Sequence, residues 1–212
     1  MSDYAAQPPR ITARRALFLY TLLLAPAFLN DFTFIALAGT QMIYVADYGW
    51  RALTLLVAFL LAKEIAFAKG VSRARPLASC LTALATLFAG LLIAKHVEVP
   101  LYHLLGGFDL FQYPRIEDAN LYWLDLTAGL LLVALSEEIV CRRVAYRALA
   151  ANGLSFFWIV IASSAAFALM HWGKGPANVT STFFTGVIFM LFYRYAGRLW
   201  PVVIAHWALN FI

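Results

Sequence analysis

Of the 212 residues, 63% are hydrophobic and only 13% charged, against about 45–50% and about 25% in an ordinary soluble domain. A soluble core of this size cannot hide that excess, so the chain is expected to be an all-α polytopic membrane protein. The net charge of +5 is spread along the chain and offers no nucleic-acid face, and the two cysteines, Cys80 and Cys141, both lie in apolar segments, which argues against a disulfide framework.

Residues 1–15 read as a polar, cytoplasmic N-terminal tail. Arg14-Arg15, the apolar run from Ala16 and then Ala25-Pro26-Ala27 imitate a signal peptide with its cleavage site. The apolar pattern resumes after Asn30-Asp31, however, which favours a first transmembrane helix with a basic flank. Spans are expected at 16–38, 50–68, 77–94, 121–141, 154–172 and 176–195, followed by a short segment at 201–212. That makes a bundle of about seven helices, six to eight if Asn30-Asp31 sets off 32–46 as a helix of its own. Residues 16–120 read as accessory helices and a loop, and 121–212 as the part that carries chemistry.

Basic residues set the expected orientation. With the N-terminus inside, Arg10, Arg14, Arg15, Lys69, Arg73, Arg75, Arg143, Arg147, Arg194 and Arg198 fall at cytoplasmic ends, and Arg51, Lys95, Arg115 and Lys174 fall outside. The expected location is the cell membrane, crossed several times. Asn178-Val179-Thr180 fits a glycosylation sequon, but at a helix start it reads as a cap. His96 and His103 read as surface or packing residues.

The span LYWLDLTAGLLLVALSEEIVCRRVAYRALA holds two adjacent carboxylates, Glu137 and Glu138, well inside it. An ionisable group at membrane depth costs at least ~2.5–3.5 kcal/mol, needs a partner, and by default marks a functional site. Three pairs share the i, i+4 spacing that puts both members on one helix face: Glu138 with Arg142, Phe167 with His171, and His206 with Asn210. Glu138 can therefore pair with Arg142, while Glu137, turned ~100° away, faces another helix. Counting ~1.5 Å per residue from the turn at Asn152, Glu137 stands ~22 Å before it and His171 ~28 Å after it, which places them at similar heights on neighbouring antiparallel helices. A carboxylate and an imidazole sharing a water can deprotonate it and return the proton to a leaving amine. His206 and Asn210 can donate hydrogen bonds to a developing oxyanion.

EEIVCR, FALMH and HWALN, in that order and each in an apolar helix, resemble the Glu-Glu-x-x-x-Arg, Phe-x-x-x-His and His-x-x-x-Asn motifs of the CPBP intramembrane proteases. That family includes the type II CAAX prenyl endopeptidases and the bacterial Abi proteins. The resemblance covers about residues 121–212. It implies an intramembrane endopeptidase acting on a membrane-anchored protein or peptide, with Glu137 and His171 activating water, His206 and Asn210 stabilising the transition state, and Glu138, Arg142 and Phe167 in support. Arg143 stands where family members commonly have glycine. Glu137, His171 and His206 could also ligate zinc, but the absence of an H-E-x-x-H motif favours chemistry without a metal. The competing readings are a structural ion-pair network, a non-catalytic immunity or scaffold protein of the Abi type, and an ion-coupled transporter.

Overall fold

The computed structural model describes residues 11–67, 76–105, 107 and 113–211. Arg10, Lys69, Arg73 and Arg75, on which the expected orientation partly rests, lie outside them. The described residues form eight helices and no strand. These are α1 (Ala13–Ala36), α2 (Met42–Leu61), α3 (Lys63–Ala66), α4 (Pro76–Leu104), α5 (119–151), α6 (Phe156–Leu169), α7 (Gly175–Ala196) and α8 (Trp200–Leu209). By length and composition α1, α2, α4 and α7 can each cross a membrane, and α6 and α8 are apolar but shorter. Helix α5, about 50 Å long at 1.5 Å per residue, is the axis of the bundle. Helices α1, α2, α3 and α8 pack along it, α7 lies on α6, and α4 closes against α7 and α8. The chain is an all-α, multi-pass membrane protein.

Lipid offers no hydrophobic drive for helix association, so close packing and polar contacts must hold the bundle together. Close packing is clearest between α6 and α7. A Cβ on Gly186 would come within 3.1 Å of the Ser164 backbone, tighter than ordinary contact, so a larger residue there would push the two helices apart by a few tenths of an ångström. Outward-facing Phe18, Phe59, Leu84, Phe88, Trp123 and Trp158 are exposed, as lipid contact requires.

Several expected boundaries move. Asn30-Asp31 does not interrupt the first span, because both side chains turn into the protein and α1 continues to Ala36. No separate helix occupies 32–46, since α2 already starts at Met42. Arg51 is therefore inside a helix rather than at its start. Helix α4 runs past 94 to Leu104 through a π-helical turn at Ala94–Glu98, and α5 contains two more, at Asp125–Gly129 and Ile139–Val144. Each such turn widens the helix by one residue and swings the residues beyond it by ~100°. Asn178 is not a cap either. Helix α7 begins at Gly175, and the Asn178 amide instead donates to Glu98 Oε1 at 2.9 Å.

Arg143 has a structural use. Its guanidinium donates to the carbonyl of Ala66 at 3.2 Å, and Arg147 donates to those of Glu64 and Ile65 at 3.3 and 3.2 Å. The carbonyls at the end of α3, which have no helical partner, are satisfied by side chains of α5. At the same end of the bundle the Asn152 amide donates to the Ala13 carbonyl at 2.9 Å, tying the start of α1 to the α5–α6 turn.

Candidate active site

A cavity of about 720 Å³ occupies the opposite end of the bundle, where α1, α4 and α6 finish and α2, α5 and α7 begin. Glu137, Phe167, His171, His206 and Asn210 all line it. Helix α5 carries both glutamates inward, with Glu137 at 3% and Glu138 at 0% exposure. Glu138 pairs with Arg142 as the spacing requires, Nε to Oε2 at 3.0 Å, and both side chains are fully enclosed. The guanidinium lies between two aromatic faces, 4.3 Å from the centre of the Phe167 ring and 5.3 Å from that of Phe189. A desolvated cation–π contact of this kind is worth ~2 kcal/mol.

The other oxygen of Glu138 takes a hydrogen bond from His206 Nδ1 at 2.9 Å. This aims Nε2 of His206 towards Glu137 Oε2, 3.7 Å away. His171 reaches the same oxygen from α6, its Nε2 at 4.0 Å. Its Nδ1 lies 2.9 Å from the Phe167 carbonyl, which can only accept, so Nδ1 carries the hydrogen and Nε2 presents a lone pair to the cavity. Phe167 thus orients His171 through its backbone and meets both imidazoles edge-to-face, with ring centres 5.1 and 5.8 Å apart. The motif residues converge as expected, with one addition: Glu138 leans on His206 as well as on Arg142.

Residues 119–212 match a family model described as Type II CAAX prenyl endopeptidase Rce1-like. This stretch is an Rce1-like domain. No curated protein and no solved structure matches the chain. Glu137, Glu138, Arg142, Phe167, His171, His206 and Asn210 all fall inside the domain.

One residue at the site's centre falls outside the Rce1-like domain. Arg51 of α2 places Nη1 2.6 Å from Glu137 Oε1, the closest ionic contact Glu137 makes among the described residues. From sequence, Arg51 reads only as a marker of orientation. Asp47 and Arg51 in fact share the i, i+4 spacing of the other motif pairs, and that spacing is the signal that could have found them. Asp31, Glu98 and His103, the last read from sequence as a surface or packing residue, also line the cavity. Asp31 faces the backbone N–H of Gly173 beside His171. Glu98 accepts from Asn178 and, at 2.6 Å, from Ser181. Asp125 accepts from the Tyr48 hydroxyl, and Gly129 lacks the Cβ that this tyrosine would strike. Two of the three π-helical turns thus deliver carboxylates to the cavity wall, and the third begins directly after Glu138.

Zinc bound by nitrogen and oxygen at ~2.0–2.1 Å holds its donor atoms about 3.3 Å apart in a tetrahedron. The separations of 3.7 and 4.0 Å are wider, and the second oxygen of Glu137 is already held by a guanidinium. Among the described residues no three of His, Cys, Asp and Glu are disposed to hold a metal.

Proposed function

We propose that the chain is an intramembrane endopeptidase that hydrolyses a peptide bond of a membrane-anchored protein or peptide, with Glu137 as general base and without a metal. The observation that carries this reading is the free oxygen of Glu137. Oε2 is buried, has no hydrogen-bond partner among the described residues, and lies 3.7 and 4.0 Å from two imidazole nitrogens, close enough for a water beside them to bond both the carboxylate and an imidazole. Water held by Glu137 Oε2 and His171 Nε2 gives its proton to the carboxylate as its oxygen bonds to the scissile carbonyl carbon. The oxyanion that results is met by His206 and Asn210. Glu138 holds His206 at Nδ1, which leaves Nε2 to donate to the oxyanion when it carries a hydrogen. The proton on Glu137 then passes to the leaving nitrogen as the C–N bond breaks. Removing one oxyanion donor typically costs 10²–10³-fold in rate, roughly 2.7–4 kcal/mol.

The cavity lies at the end of the bundle away from Ala13. With the N-terminus cytoplasmic and the chain in the cell membrane, as the basic residues favour, the site serves the outer face. This suits trimming of a membrane tail or C-terminal sorting segment from an exported protein better than processing of a cytosolic prenylated one. Mass spectrometry of membrane proteins from cells with the intact chain and with Glu137→Ala tests the reading. New C-termini should appear only with the intact chain. Termini that persist in the variant would show that Glu137 is not the base.

A further inference from the structure

Three polar side chains in the helices before the Rce1-like domain form a line ending on Glu137. The Asn30 amide of α1 donates to Asp47 Oδ1 of α2 at 2.6 Å. The same oxygen accepts from Arg51 Nε at 3.1 Å, and Arg51 Nη1 meets Glu137 Oε1 at 2.6 Å. Asn30 and Asp47 are 3% and 2% exposed, and the Arg51 side chain 13%. Such groups inside apolar helices are expensive. A buried ion pair is also weak evidence for stability, since apolar replacements often do as well.

The geometry of the contact says what the pair is for. Arginine–carboxylate pairs are frequently bidentate, with two parallel N–H donors on the two oxygens. Here the fork is split. Nε is committed to Asp47, Nη1 takes only Oε1 of Glu137, and Oε2 is left facing His171 and His206. The terminal torsion of a glutamate is broad and roughly two-fold, so a carboxylate held at neither oxygen would not keep one of them on the water. Asp47 in turn cannot swing away, because Asn30 holds the oxygen that Arg51 uses.

We propose that Arg51, anchored through Asp47 to Asn30, is the positioning residue of Glu137, so that α1 and α2 complete an active site whose chemistry lies in the Rce1-like domain. This rests on Glu137 being the base. Arg51 does not touch the reacting atoms. It fixes which carboxylate oxygen works and where.

The experiment uses membranes from cells carrying the intact chain, Arg51→Ala, Arg51→Lys or Glu137→Gln. New C-termini of membrane proteins are counted with and without millimolar guanidinium, and each protein's melting temperature is measured in detergent. Arg51→Ala should lose about 100-fold in product, the usual cost of misplacing a reacting group by ~1 Å. Guanidinium should restore part of that loss and do nothing for Glu137→Gln. Arg51→Lys, which keeps the charge and loses the fork, should fall between. Product from Arg51→Ala at the level of the intact chain, with none from Glu137→Gln, would overturn the positioning role and leave the base in place. So would a loss in Arg51→Ala that neither guanidinium nor lysine relieves and that follows a fallen melting temperature, since the arginine would then be structural. Product from Glu137→Gln would overturn the base assignment, and this inference with it.

Discussion

Two adjacent glutamates on one helix have been given opposite environments. Glu138 is held from within its own domain: by Arg142 on the same helix, by His206, and through Arg142 by the faces of Phe167 and Phe189. One of its oxygens takes a hydrogen bond from His206, the other lies 3.0 Å from Arg142 Nε as an ion pair, and the side chain is wholly enclosed. Glu137 is held from outside the domain by Arg51, at one oxygen only, with the other turned to a cavity. Each carboxylate has its own arginine, so the pair coexists at membrane depth. This difference is what the proposed roles require, Glu138 as a structural member and Glu137 as the base.

Removing each glutamate should break this comparison most visibly. Glu138→Ala leaves the Arg142 guanidinium fully buried without its anion, a change that typically costs 3–5 kcal/mol, so the variant should be poorly folded and barely recovered from membranes. Glu137→Ala leaves Arg51 paired with Asp47 and open to the cavity, and should cost about 1.5–3 kcal/mol, the range for a charged hydrogen bond. Thermal unfolding in detergent should therefore rank Glu138→Ala well below Glu137→Ala, although both are inactive. Equal losses would mean that the two carboxylates are not differently employed.

A smaller effect is expected at Phe167. Replacement by Leu keeps the backbone carbonyl that orients His171 but removes the face beneath Arg142, at a cost of ~2 kcal/mol. Stability should fall by that amount while some cleavage survives. Asp47→Asn, which loosens Arg51 and can still bond Asn30 and Tyr113, should lower turnover more than substrate affinity and move the melting temperature less than Glu138→Ala. The mildest change for activity is Arg143→Gly. It gives up a hydrogen bond to the Ala66 carbonyl, worth about 1–3 kcal/mol, and should leave cleavage intact, because Arg143 points away from the cavity towards α3.

The same division runs through what the sequence makes legible. The i, i+4 pairs announce Glu138 with Arg142 and Phe167 with His171, because helical spacing alone brings those residues together. Counting residues from Asn152 puts Glu137 and His171 at one height, which the shared oxygen at 4.0 Å bears out. The multi-pass helical fold comes from apolar content. The partner of Glu137 is hidden because hydropathy starts the second span at 50, which makes Arg51 an interfacial charge. With α2 beginning at Met42, the same arginine sits inside a helix, one turn beyond Asp47. The π-helical turns are hidden for another reason: an extra residue in a turn shifts which side chains face inward but leaves no mark on hydropathy. Glu98 and Asp125 reach the cavity through such turns and carry no motif.

The central claim is that Glu137 reacts and is not needed to hold the fold. It is tested most directly by Glu137→Gln, which keeps the side chain's shape and its ability to accept from Arg51 while removing the base. In reconstituted vesicles containing the membrane proteins that gain new C-termini, this variant should melt close to the intact chain and release no product. Product at a comparable rate, or a protein that no longer folds, would contradict the account.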